Sequence, residues 1–196
     1  MDTRPYNFGV IIGRFQHIHL GHMNLINHGI RVCKNLLILV SSAQESGTFH
    51  NPFDVTFRIE LIRELYPHTK LGFIDDMDDL SNNGAEWGRY VLDQVKKWGY
   101  IHGVYDSPDV IIHGSDTEYV DWFDPEDTKG IVQLIVPSSE VKVSDVEVRE
   151  LLVRGDMLGW RQKAGYGLHD RYHDIRKKLS KVPAYREMME QYGQPS

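Results

Sequence analysis

Residues 8–40 read FGVIIGRFQHIHLGHMNLINHGIRVCKNLLILV, and the order of patterns within this stretch decides the fold. Residues 8–12 form a compact, β-branched apolar run stopped by Gly13, the pattern of a buried strand that runs into a tight loop. From Leu20 to Cys33 the apolar positions Met23, Leu25, Ile26, Ile30 and Val32 recur nearer to helical spacing than to alternation, and residues 36–40 are a second unbroken apolar run. Strand, helix, strand in that order is a β-α-β unit. Further along, residues 54–66 predict a helix, with Asp54 as N-cap and Pro67 just past its end. Residues 71–74 predict a third strand, an acidic loop follows over 75–83, and a helix runs on to Trp98. Residues 110–113 and 131–136 supply two more short strands. Near-continuous apolar strands alternating with helices predict an α/β fold, a doubly wound parallel sheet covered on both faces. Ligands of such sheets sit at the carboxyl ends of the strands, which points to the loops after Ile12, Val40, Ile74 and His113. From Ser144 the chain reads as helical, broken by the glycine-rich AGYGLH at 164–169. The expected organisation is a first domain over 1–155 and a C-terminal helical appendage over 156–196.

Composition bounds the functions. With 22 Lys and Arg against 28 Asp and Glu, the net charge of −6 offers no general basic field for a nucleic acid or an anionic bilayer, so any polyanion must be held by a local cluster of arginines. The single cysteine, Cys33, excludes a disulfide framework and a cysteine-built zinc site and suggests a reducing compartment. Residues 1–6 are polar, and no apolar run approaches the ~18 residues of a membrane span, so a cytoplasmic protein is expected.

The segment with most chemical content is Gly13-Arg14-Phe15-Gln16-His17-Ile18-His19-Leu20-Gly21-His22, the loop that leaves the first strand and opens the first helix. His19 and His22, three apart on a first helical turn, face the same side, and the helix N-terminus adds N–H groups and partial positive charge. Gly21 between them permits close approach to the backbone. Taken alone, the pair reads equally as a polar helix cap; as a metal pair it lacks a third ligand at metal spacing, and no metal site is expected.

This loop resembles the H-x-G-H signature of the nucleotidyltransferase superfamily, preceded by G-R-F-x-P-x-H, with His17 where proline is usual and Ile18 where an aromatic is usual. A second run, Ser42-Ala43-Gln44-Glu45-Ser46-Gly47-Thr48, then Asn51-Pro52-Phe53 and Arg58, is similar to the S-A-Q-x-S-x-T…N-P-F…R stretch of nicotinamide mononucleotide adenylyltransferases of the archaeal and bifunctional bacterial type. A third, Val143-Ser144-Asp145-Val146-Glu147-Val148-Arg149, resembles the family's I-S-[SA]-T-x-I-R, with Asp145 for a small residue and Val146 for threonine. The lost threonine hydroxyl removes one phosphate hydrogen bond, worth about 1–3 kcal/mol to a charged acceptor.

The resemblance implies a Rossmann-like nucleotidyltransferase fold and adenylyl transfer from ATP to nicotinamide mononucleotide, giving NAD and pyrophosphate, with Mg2+ on the triphosphate. It implies catalytic roles for His19, His22, Arg14 and Arg149. ATP would be bound by Gly13, Arg14, Phe15, Gln16, His19, Gly21, His22, Gly114, Asp116, Ser144 and Arg149, with Ser144 capping a helix that carries Arg149. The mononucleotide would meet Ser42, Gln44, Asn51, Arg58 and Trp87, the indole stacking on the cationic pyridinium. Trp87 reads equally as a core residue, since Val91, Leu92 and Val95 follow at helical spacing. Other acceptors (phosphopantetheine, FMN, a phospho-alcohol) or a nucleotide sensor that has lost turnover stay open as alternatives. A homo-oligomer is a family-level expectation. The segment 179–192 resembles the connector into a Nudix pyrophosphohydrolase domain, and at 196 residues that second activity is not expected.

Two other features read as exposed helix faces: His169-Asp170-Arg171-Tyr172-His173, whose aspartate is too short for a zinc-protease base, and the basic run 176–181.

Overall fold

The structure, a computed structural model, describes residues 2–76, 84–115, 122–137, 141 and 143–193. Strand β1 spans Tyr6–Gly13, helix α1 Leu20–Val32 and β2 Cys33–Val40. No loop separates α1 from β2. Cys33 caps the helix with extended backbone (φ −110°, ψ 135°) and is already the first residue of the strand, so β2 begins ahead of its apolar run, with Cys33 opposite Tyr6 and Asn35 opposite Phe8. Helix α2 (Val55–Leu65) starts at Asp54, whose carboxylate accepts from the Phe57 N–H at 2.9 Å. Strand β3 (Lys70–Phe73), α3 (Gly84–Ile101), β4 (Val110–Gly114), β5 (Val132–Val136) and α4 (Asp145–Arg154) follow.

All strand pairs are parallel, in the order β3-β2-β1-β4-β5. The chain winds from β1 towards one edge through β2 and β3, then crosses to the other side of β1 for β4 and β5. That reversal opens a crevice at the carboxyl ends of β1 and β4, the place where open α/β sheets bind ligands. The expected doubly wound sheet is the one observed.

The two-residue period of the strands sorts their side chains onto two faces. Val10, Leu37, Leu39 and Ile111 pack under α3 with Trp87, Val91 and Val95. Ile11, Ile38, Val40 and Ile112 face α1, α2 and α4. This second core also takes in Trp160, Leu168, Ile175, Leu179 and Tyr185, from α5 (Met157–Lys163), the 3-10 turn Tyr166–Arg171, α6 (Tyr172–Leu179) and α7 (Pro183–Gly193). The expected C-terminal helical appendage is present as these elements. Gly155 is a left-handed helix cap (φ +74°) at the end of α4, and the helices beyond it bury their apolar faces in the same core as β1. Among the described residues, no helix is long and apolar enough to cross a membrane.

Candidate active site

Helix α1 begins where the crevice is. His19 is its N-cap, in extended backbone (φ −136°, ψ 174°), and its Nδ1 accepts from the N–H groups of Gly21 (3.1 Å) and His22 (3.4 Å). A neutral imidazole that accepts through Nδ1 carries its proton on Nε2. The cap thus fixes the tautomer and leaves an N–H donor on the far side of the ring. Burial, then the neighbouring His22, His17 and Arg149, push the His19 pKa far below its ordinary value, so the ring is neutral at pH 7. His22 stacks on it at 4.0 Å between centroids, and Phe15 packs against His22 at 4.9 Å. His22 is likewise held below its ordinary pKa, by burial foremost, with Asp145 and a hydrogen bond to the His17 backbone opposing.

Gly21 is required for this arrangement. A Cβ there would stand 3.0 Å from His19 Cε1 and 3.1 Å from Nδ1, so the close approach it permits is that of the capping ring.

The crevice is lined by Gly13, Arg14 and Phe15 after β1, by His19, Gly21 and His22 on α1, by Gly114 after β4, by Val136 and Pro137 after β5, and by Val143 and Asp145 leading into α4. Arg14 is exposed at its mouth, and a Cβ on Gly114 would meet nothing within 4 Å. Ser144 caps α4 by accepting from the Glu147 N–H at 3.2 Å. Arg149, on the same helix, is 6% exposed, and its Nε has no hydrogen-bond partner among the described residues. Arg149 is not among the lining residues; its one unpaired Nε–H is a donor that an anion reaching it could use. Val146 is 53% exposed and not among the lining residues. The carboxyl end of β5 was not among the loops expected from the sequence.

Four of the residues singled out in the sequence are buried away from solvent. Arg58, expected to meet a mononucleotide phosphate, is 0% exposed. One of its terminal nitrogens donates to the carbonyls of Arg14 and Ser41, the other to that of Ser42, each at 2.8 Å. It clamps the loops after β1 and β2. Both loops carry a non-glycine residue in the left-handed region, Phe15 (φ +47°) and Ser42 (φ +52°), a conformation costing about 1–3 kcal/mol that persists only where the surroundings impose it. Gln16, expected at ATP, is also 0% exposed; its amide donates to Asn51 Oδ1 at 3.0 Å and accepts from the Phe53 N–H at 3.0 Å. Asn51, 8% exposed, is accordingly held within that brace. Trp87 is 5% exposed and packs with Tyr90 and Trp122 in the core under α3. Of the other mononucleotide candidates, Ser42 is buried, and the exposed Gln44 clasps the backbone of Asp76 through both amide atoms. The expectation for Asp116, and the part of the acidic run beyond Asp76, lie outside the described residues.

The sequence reading missed two contributors. Asp145 brings an oxygen to within 3.5 Å of His19 Nε2 and forms with His19 and His22 a group whose ligand atoms all lie within 4.8 Å of one another. The third group absent at metal spacing thus arrives from α4, across the crevice. Trp160 donates through Nε1 to His17 Nε2 at 3.0 Å, deep in the core; His17 fills the usual proline position with a ring tied to α5. The departure from the family pattern at each position was the available signal. His169, from the motif set aside as a helix face, bonds the Arg161 carbonyl at 3.0 Å.

Comparison with known proteins agrees with this architecture. A nicotinamide-nucleotide adenylyltransferase of Saccharolobus solfataricus is 37% identical over 97 residues, covering 47% of this chain and 56% of the relative. A protein of the same name from Thermococcus sibiricus is 34% identical over 98 residues, covering 47% and 52%. The chain thus matches these curated relatives over about half of their length. The crystal structure of a bifunctional NMN adenylyltransferase/ADP ribose pyrophosphatase from Francisella tularensis superposes with a TM-score of 0.65 at 18% identity, over 95% of this chain and 53% of that one, which shows a shared fold. The cytidylyltransferase-like family profile matches residues 10–161, a span that runs from within β1 through β5 and contains both stacked histidines and α4. On that match, the chain belongs to the cytidylyltransferase-like family.

Proposed function

We propose that the protein is a nicotinamide-nucleotide adenylyltransferase, joining ATP and nicotinamide mononucleotide into NAD and releasing pyrophosphate. The observation that carries the reading is the capped His19, which lines the crevice beside His22 with its Nε2 3.5 Å from an Asp145 oxygen. The name of the relatives supports the choice of acceptor.

In this reaction a phosphate oxygen of the mononucleotide attacks the α-phosphorus of ATP, and the bond to the bridging oxygen breaks as pyrophosphate departs. The nucleophile belongs to the substrate, so the protein positions the reactants and stabilises charge. His19 donates from Nε2 to an α-phosphate oxygen, and its neutral ring costs no proton rearrangement during the step. Arg149 presents its unpaired Nε to the phosphates from α4, and Arg14 closes on them from the mouth. Gly114 leaves room at the end of β4. The unpartnered Asp145 Oδ1 suits a cation at this wall; magnesium bound with the triphosphate would supply charge neutralisation there.

The test is direct. Protein, Mg-ATP and each of nicotinamide mononucleotide, phosphopantetheine and FMN are incubated separately, and products are resolved by chromatography. NAD and pyrophosphate in equal amounts, from the first acceptor alone, are expected. Binding of ATP and mononucleotide without product would replace the enzyme by a sensor, and product from another acceptor would overturn the substrate assignment. The reading also carries a cytoplasmic, self-associating protein without a nucleic-acid partner, which sizing of the purified protein and filter binding with RNA and DNA examine.

A further inference from the structure

His22 Nδ1 and Asp145 Oδ1 are buried and have no hydrogen-bond partner among the described residues. Each offers a lone pair, and the two residues, both lining the crevice, bring ligand atoms to within 4.8 Å of each other. Buried acceptors left without a hydrogen bond are uncommon in folded proteins, and His19 Nε2, 3.5 Å from Asp145 Oδ1, does not close one. The pair is also misplaced for a pocket that receives only phosphate, because a carboxylate there repels the anion. A cation between the two resolves both difficulties.

We propose that His22 and Asp145 are direct ligands of a divalent transition ion, held by the protein itself before any nucleotide arrives. An imidazole nitrogen with a carboxylate oxygen suits Mn2+, Co2+ or Zn2+ better than Mg2+, which favours an all-oxygen shell. His19 is a neighbour and not a ligand. Its Nδ1 is spent on capping α1, so Nε2 keeps its proton and has no lone pair to give. The ion completes its shell with water, and with phosphate oxygens when a triphosphate enters; that last clause alone rests on the function proposed above. Asp145 stands where the resembling family has a small residue, so the site belongs to this chain and not to the family pattern.

The experiment titrates nucleotide-free protein with Mn2+ and follows the loss of the free-ion signal by electron paramagnetic resonance. One ion per chain is expected. Asp145→Asn and His22→Gln are each expected to weaken binding by about tenfold or more. His19→Asn, which keeps a capping side chain, is expected to bind Mn2+ within about twofold of the parent, because a ring with no free lone pair contributes nothing to the ligand set. Circular dichroism of each variant verifies the fold. No binding by the parent, unchanged binding by Asp145→Asn, or loss of binding in His19→Asn would each overturn the assignment. NAD synthesis is read separately on the same preparations. Protein that binds Mn2+ as expected but makes no NAD refutes the enzyme and leaves the cation site standing. Protein that makes NAD but binds no Mn2+ without nucleotide removes the cation site alone.

Discussion

Replacing Arg58 by methionine separates a structural clamp from a phosphate ligand. The guanidinium makes three hydrogen bonds of 2.8 Å to main-chain carbonyls and is 0% exposed. Hydrogen bonds to a charged group contribute about 1.5–3 kcal/mol each, which bounds the gross loss at roughly 5–9 kcal/mol. Part of that is offset, because a buried cation carries a desolvation cost that methionine does not. Burial, helped by the like charge of Arg14, pushes the Arg58 pKa down to about 10, against the pull of Asp54 and Asp76. The net expectation is a destabilisation of about 3–5 kcal/mol, the size found when one side of a buried charged network is removed. For a chain of this length that lowers the melting temperature by on the order of 10 °C. Arg58→Lys should fall between, since one ammonium cannot span three carbonyls on two loops in the geometry of a planar fork. Urea unfolding followed by circular dichroism gives the stability, and isothermal titration at a temperature where the variant is folded gives nucleotide affinity. A variant as stable as the parent, with affinity for the mononucleotide lost, would refute the clamp and restore Arg58 as a phosphate ligand.

Three further outcomes follow from the same structure. Trp87→Phe should lower stability by about 1–3 kcal/mol through lost packing and leave the KM for nicotinamide mononucleotide within about twofold; a large rise in KM with unchanged stability would show that the indole contacts substrate. Gly21→Ala pushes on the His19 ring, 3.0 Å from the new methyl, and should reduce turnover at least about tenfold as the cap and its donor are displaced; parental turnover would show that the ring position is not critical. Stability should also fall in acid. Burial pushes the His17 pKa down to about 4, with Asp145 and a bond to the Ile18 carbonyl opposing, so between its ordinary 6.5 and about 4 the unfolded chain holds a proton that the folded one does not. This contribution is complete above about pH 6.5 and is lost as pH falls, amounting to about 3 kcal/mol at pH 4. His19 and His22 shift in the same direction. Urea midpoints at pH 7.5 and 5 measure it, and His17→Gln should narrow the difference; equal midpoints in the parent would contradict neutral burial.

The comparison of sequence with structure divides along the reach of the interactions. The β1–α1–β2 unit, the Asp54 and Ser144 caps and the parallel sheet were legible because each depends on apolar period or capping chemistry within a few residues. The placement of His19 and His22 was legible for the same reason. Arg58, Gln16 and Trp87 were recognisable as chemically capable, but whether such a side chain faces the crevice or the core depends on the partners the fold gives it. Arg58 meets carbonyls of two other loops, and Gln16 meets Asn51 and Phe53. The helices after residue 155 look separable because their apolar faces show no local clue to what covers them. Trp160 reaching His17 is a contact of that kind, and so is Asp145 reaching His19.

The central claim, that a capped and neutral His19 supplies the donor for adenylyl transfer, is tested most directly by the turnover of His19→Asn. Asparagine keeps the cap on α1 but removes the Nε2–H. With the fold verified by circular dichroism, kcat for NAD formation from Mg-ATP and nicotinamide mononucleotide should drop by about 10²–10³-fold, the loss that follows removal of one preorganised transition-state donor. A kcat equal to the parent's would contradict the account.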